Sequence, residues 1–149
     1  MKKMLVAIGL VVGLASTANA EVIGKVTTSG WFFKDTIKIH EFKDPSIDGI
    51  ACHITYADKA FNTDDPSNSS ISCRQTKGVI TGVIESRENV FKKNKNLFFK
   101  VMRVDRFYDS INNSLVYISY TKKTSGENAS HSISSVPLWN AKVVLPNKK

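Results

Sequence analysis

Alternation of apolar and polar side chains with period two constrains this chain more than any other feature, because a strand repeats its side-chain direction every second residue. It is cleanest over residues 50–56, where Ile50, Cys52, Ile54 and Tyr56 fall on one side and Ala51, His53 and Thr55 on the other. Over 36–42, Ile37 and Ile39 share one face while Lys38 and His40 share the opposite one; Ile71 and Cys73 are likewise on one side. Residues 97–108 and 115–121, rich in Phe, Val, Ile and Tyr, flank Asp109-Ser110-Ile111-Asn112-Asn113-Ser114 and read as two antiparallel strands joined by a turn. Within the first of these, apolar positions move from odd (Leu97, Phe99, Val101) to even (Met102, Val104), the phase change of a bulge or strong twist. A further strand is expected over 132–138, with Pro137 placing it at an edge. Residues 76–86, where Gly78 and Gly82 interrupt Val79, Ile80, Val83 and Ile84, fit either a short strand or a turn of helix. Residues 58–70 are dense in Asp, Asn, Ser and Pro and read as a loop. No segment carries a long helical stripe. The expected fold is mainly β, a single-domain antiparallel β-sandwich or open barrel with little helix.

The first twenty residues stand apart. Lys2 and Lys3 precede an apolar run from Met4 to Leu14, and Ala18-Asn19-Ala20 forms a small-residue cleavage site before Glu21, the pattern of a secretory signal peptide. The apolar run is well short of the roughly 20 residues that cross a bilayer, so it is expected to be cleaved and not retained as an anchor. The expected organisation is a signal peptide over 1–20, a single β domain over 21–149, and a periplasmic location with no transmembrane segment after cleavage.

Loss of residues 1–20 leaves nineteen Lys and Arg against thirteen Asp and Glu, a net charge of +6. Most of the excess is local. Between Arg87 and Arg106 stand Arg87, Lys92, Lys93, Lys95, Lys100, Arg103 and Arg106 against Glu88 and Asp105, a net of +5. Such a segment attracts polyanions. An exported protein meets anionic lipid headgroups, cell-wall polymers and acidic protein surfaces, so the expected partner is an anionic envelope component or protein, with peripheral membrane contact compatible and nucleic acid not expected. The alternative is a solubilising face.

Export also bears on Cys52 and Cys73, the two cysteines of the chain. In an oxidising compartment an even pair is expected to form a structural disulfide. Their spacing is not that of a C-x-x-C redox centre, and the four ligands of a structural zinc site are missing. No metal or other cofactor is expected.

Residues 103–108 carry the most suggestive constellation. Arg103, Asp105, Arg106 and Tyr108, with Asp109 beyond, interrupt a strand that is otherwise aromatic and aliphatic. If Arg106 and Tyr108 share a face, they could hold a carboxylate or phosphate in a guanidinium fork beside an aromatic platform. Arg103 and Asp105, two apart on the other face, could equally make surface ion pairs. The candidate binding residues are therefore Arg103, Asp105, Arg106 and Tyr108, together with Lys92, Lys93 and Lys95. No catalytic residues emerge. None of the three histidines, His40, His53 and His131, sits in a recognisable nucleophile–base arrangement, and His131, among serines, reads as part of a solvated loop. Asp64-Asp65 lies in a turn-rich stretch that lacks the alternating ligands and terminal Glu of a calcium loop.

Two groups of residues are familiar. The run from His40 through Asp44-Pro45-Ser46-Ile47-Asp48-Gly49 to Cys52, followed by Ser70-Ile71-Ser72-Cys73-Arg74-Gln75, resembles the front half of the CreA family of small exported bacterial proteins. Val90-Phe91-Lys92-Lys93, Val104-Asp105-Arg106-Phe107-Tyr108-Asp109, Leu115-Val116-Tyr117 and Ser132-Ile133-Ser134-Ser135-Val136-Pro137-Leu138 follow the order of its back half. The chain departs from the family pattern before Cys73, where a glycine-rich stretch is reduced to Asp65-Pro66-Ser67, and after it, where Lys77-Gly78-Val79-Ile80 replaces a Val-Gly-Pro-Ile. The resemblance supports the disulfide and carries over no catalytic residue. The expectation is a non-enzymatic binding or accessory protein, the alternative a small hydrolase or carbohydrate-active enzyme with a loop-built site.

Overall fold

The computed structural model describes residues 21–29, 31–32, 34–58, 69–91, 102–121 and 130–144. Ten strands follow in order: β1 (Glu21–Ser29), β2 (Asp35–Lys43), β3 (Ile47–Asp48), β4 (Ile50–Asp58), β5 (Ser69–Gln75), β6 (Val79–Gly82), β7 (Met102–Asp109), β8 (Ser114–Thr121), β9 (His131–Pro137) and β10 (Lys142–Val144). Among the described residues there is no helix, and the chain is mainly β, as the period-two pattern requires. Three sheets form, ordered β1-β2-β4-β5, β7-β8-β9 and β10-β6-β3. The first two are antiparallel throughout. In the small third sheet β6 pairs in parallel with β10 and antiparallel with β3, which resolves residues 79–82 as strand. Gly82 is required there: it sits at a φ of +139°, and a Cβ would collide with the backbone of Ser46 and Ile47.

The strand expected over 132–138 begins one residue earlier, so that His131 is its first residue, paired with Tyr120, and not part of a loop. The segment 97–101, with its expected phase change, and the loop core 59–68, with Asp64 and Asp65, lie outside the described residues, as do 1–20. The turn between β7 and β8 forms as its residues dictate. Asp109 Oδ1 accepts the backbone N–H of Ile111 and Asn112, and Asn113 takes a left-handed φ of 45° that closes the hairpin. These hydrogen bonds, Asn112's side-chain amide first, hold the Asp109 carboxyl below its usual range.

In β2 the inward face is not the one carrying Ile37 and Ile39. His40 and Phe42 are buried, while the two isoleucines are half-buried on the outside. Aromatic packing accounts for the choice: the His40 ring stacks on Tyr56 at 5.2 Å, and Phe42 meets Phe91 at 5.2 Å. Burial first, and then the nearby charge of Lys38, lower the affinity of His40 for a proton.

The two larger sheets meet along β5 and β9, and the join is made by side chains. The β5 amides of Ile71 and Cys73 donate to the hydroxyls of Ser132 and Ser134 at 3.2 and 2.8 Å. Gln75 adds its side-chain amide to the carbonyls of Pro137 and Asn140. Through this seam the inward residues form layers that run across both sheets. One of them is Phe42, Cys52 and Cys73, continuing into Tyr117 and Arg106. Ile47, Ile50, Ile54, Ile80, Met102, Val104, Leu115, Val136 and Leu138 fill the space between.

Cys52 and Cys73 stand directly opposite one another in the β4–β5 ladder and are joined by a disulfide, buried in that layer. The bridge closes a loop of sequence separation 21. In the chain-entropy account this is worth about 3 kcal/mol, a large share of the roughly 5 to 15 kcal/mol typical of a domain. Reduction, or Cys52→Ala with Cys73→Ala, is expected to lower the urea midpoint by the equivalent of about 3 kcal/mol. Thiol labelling of denatured, non-reduced protein should find no free thiol; two would contradict the bridge.

Candidate functional site

β7 sorts the charged residues of 103–108 by parity. Met102, Val104 and Arg106 point inward and are buried, Tyr108 is half-buried on the same side, and Arg103, Asp105 and Phe107 face outward. Arg106 and Tyr108 thus do share a face, but that face is the interior. Arg106 is 0% exposed, which corrects its assignment to an accessible binding surface.

A buried guanidinium needs a buried counter-charge, and the chain supplies one from a segment 62 residues away. Asp44 follows β2 directly, and Asp44-Pro45-Ser46 folds back so that Oδ1 accepts the amides of Ser46 and Ile47 and the Ser46 hydroxyl, at 2.9 to 3.1 Å. Its other oxygen, Oδ2, accepts Arg106 Nη1 at 2.6 Å and the Tyr117 hydroxyl at 2.7 Å. Arg106 Nε donates to the Glu85 carbonyl at 3.0 Å, and Nη1 also reaches Ser46 Oγ at 3.1 Å. The guanidinium therefore holds a carboxylate, as its chemistry foretold, but an internal one and through one nitrogen, not in a two-pronged fork. Nη2 is buried without a hydrogen-bond partner. Burial, and then the negative charge of Asp44, push the Tyr117 hydroxyl far above the ordinary phenol range, so it acts as a neutral donor.

The remaining candidates are dispersed. Tyr108 donates its hydroxyl to Asn113 and its amide to Ser86, so it closes the β7–β8 turn and does not form a platform beside Arg106. No ion pair joins Arg103 to Asp105. The Asp105 carboxylate accepts the Asn89 amide at 2.6 Å and the Tyr120 hydroxyl at 3.0 Å. Arg87 pairs backbone to backbone with Arg106, and Val90 donates to Val104, so residues 86–90 cover the free edge of β7. Lys92, Lys93 and Lys95 lie outside the described residues. Among the described residues no group of three or more His, Cys, Asp or Glu could hold a metal ion, and no helix is long and apolar enough to cross a membrane.

Sequence reasoning found Arg106 but missed Asp44, Ser46 and Tyr117. A signal was present: an arginine at an inward position of a strand demands an acid, and Asp-Pro-Ser is a turn that leaves one carboxylate oxygen free to meet it.

Removal of Asp44 alone strands the Arg106 charge, so Asp44→Ala is expected to cost about 3 to 5 kcal/mol in denaturant unfolding. Asp44→Ala with Arg106→Met should cost less than the sum of the single changes; strict additivity would contradict the pairing. The raised Tyr117 adds a pH test. The folded state keeps its proton while the unfolded chain loses it, so this contribution to stability is complete below about pH 10 and is lost as pH rises above it. Tyr117→Phe should flatten that part of the alkaline loss of the unfolding midpoint.

The family model described as "CreA protein" matches residues 23–141, which takes in the buried network, the disulfide and strands β2 to β9. Protein CreA of Escherichia coli K12 is 31% identical over 153 aligned positions, covering 92% of this chain and 95% of that protein. The same figures hold for Protein CreA of the O6:H1 and O157:H7 strains. No solved structure matches the chain significantly. With a family match across most of its length, and relatives of this identity aligned nearly end to end, the chain belongs to the CreA family.

Proposed function

We propose that this protein is exported to the bacterial periplasm, with residues 1–20 removed, and works there as a non-enzymatic binding or accessory protein that presents a basic face to an anionic component of the envelope. The observation that carries the reading is the internal use of Arg106. Its charge is neutralised by Asp44, so the densest constellation of ionisable groups stabilises the fold and offers no accessible polar atom to a substrate. What remains between Arg87 and Asp105 is Arg87, Lys92, Lys93, Lys95, Lys100 and Arg103 against Glu88 and Asp105, a net of +4. Arg87 is exposed, Arg103 is half-buried on the outer face of β7, and the Asp105 carboxylate is occupied by Asn89 and Tyr120.

Binding through such a segment depends on counter-ion release and is screened beyond about 8 Å at physiological ionic strength. Retention of the protein on immobilised polyglutamate or heparin is expected to weaken steeply with salt. Replacing Lys92, Lys93 and Lys95 by Glu should reduce the slope of log affinity against log salt by about 3 or more. Equal retention of the reversed variant would mean that the segment is a solubilising face. Saturable turnover in a broad hydrolase-substrate panel, abolished by Asp64→Asn or Asp65→Asn, would favour the enzyme reading instead.

A further inference from the structure

The hairpin joining β1 to β2 carries a feature used by neither the core nor the basic segment. Trp31 and Phe32 are 91% and 90% exposed, and their rings stack on one another with centroids 6.4 Å apart. The register explains the lack of cover. Ser29 pairs with Asp35, whereas β4 ends at Asp58 opposite Thr36, so the two rings extend past the last rung that β4 shares with β2. Behind them β1 packs chiefly on β2 and leaves Val22, Ile23 and Val26 exposed as well.

Charge selects the kind of partner. The charged residues from Glu21 to Asp35 are Glu21, at the end of β1 away from the tip, the exposed Lys25 and Lys34, and Asp35, which is half-buried. A protruding pair of aromatic rings with basic side chains behind it suits a fluid interface into which the rings can sink while the ammonium groups stay at headgroup level. Pairing of β1 edge to edge with a second copy is opposed by two register shifts in β1 and by Lys25 at its centre, both devices that blunt an edge.

We propose that the tip of the β1–β2 hairpin is a membrane-docking element. Trp31 and Phe32 enter the interfacial zone of an anionic lipid surface, and Lys25 and Lys34 meet its phosphate headgroups. This rests on the reading of the protein as a ligand of anionic envelope components, and it narrows that partner to lipid.

The two tryptophans of the chain, Trp31 and Trp139, make the test direct. In a Trp139→Phe background, Trp31 emission is expected to shift to the blue on addition of vesicles of phosphatidylglycerol and phosphatidylcholine, and to be quenched when the acyl chains are brominated. Vesicles of phosphatidylcholine alone should give little shift. Trp31→Ala with Phe32→Ser should weaken vesicle partitioning about tenfold or more, since each 1.4 kcal/mol of lost burial is a factor of ten. Its urea midpoint should be unchanged, because these rings bury nothing in the fold. Unshifted Trp31 emission in vesicle-bound protein, equal response to neutral vesicles, a concentration-dependent shift without lipid, or undiminished partitioning of the double variant would each overturn the proposal. Retention on polyglutamate separates the two readings. If the tip variant keeps both polyglutamate and vesicle binding, the docking element is wrong and the anionic-partner reading stands. If the unaltered protein binds neither, the reading beneath it is wrong too.

Discussion

The buried pair of Arg106 and Asp44 is the constraint around which the rest of this fold is arranged. A guanidinium loses several kcal/mol of hydration on entering a protein interior, and hydrogen-bonded partners offset that loss. For Arg106 on β7 they are the Asp44 carboxylate and Ser46 hydroxyl of the turn after β2 and the carbonyl of Glu85, while the Tyr117 hydroxyl on β8 donates to the same carboxylate oxygen. Asp44 in turn accepts five hydrogen bonds, two of them from the amides of Ser46 and Ile47. The turn that orients the carboxylate is therefore the one that delivers Ile47 to the core and β3 to β6. An ionic interaction thus ties the small third sheet to both larger ones.

Period two made the strands at 50–56 and 71–73 legible, because apolar side chains recur on one face; at 115–121 both faces carry apolar residues, and β-favouring side chains beside a turn mark the strand instead. The alternation also gave the inward faces of Cys52 and Cys73; the expectation that they pair rests on their even count and on export, and the β4–β5 register sets them opposite one another. The same pattern was misleading in β2, where Ile37 and Ile39 look like the core face but aromatic contacts of His40 and Phe42 prevail. β1 was invisible for a different reason: both of its faces are exposed, so no hydrophobic alternation marks it. β3 and β10 are too short to carry a pattern. For the candidate site, the sequence picked out Arg106 as unusual, and its parity with Met102 and Val104 pointed inward, but the acid that makes its burial possible lies 62 residues away, where local spacing does not show it.

Parity along β7 also divides two kinds of electrostatics. The inward arginine works at close range in a poorly screened interior. The outward charges work in solvent, where attraction fades within about a Debye length of 8 Å and depends on salt. A count of net charge merges these two roles, and the structure separates them residue by residue.

The seam between β5 and β9 has a consequence of its own. In a continuous sheet, adjacent strands are held by peptide groups that every residue type except proline supplies, so the pairing survives almost any substitution. Here the two sheets are joined by the hydroxyls of Ser132 and Ser134 and the amide of Gln75. These links are therefore open to single-base changes that remove a hydroxyl or an amide, as a peptide group is not. Loss of one leaves the ladders of each sheet intact, and the shared core and the Asp44–Arg106 pair still hold the two sheets together.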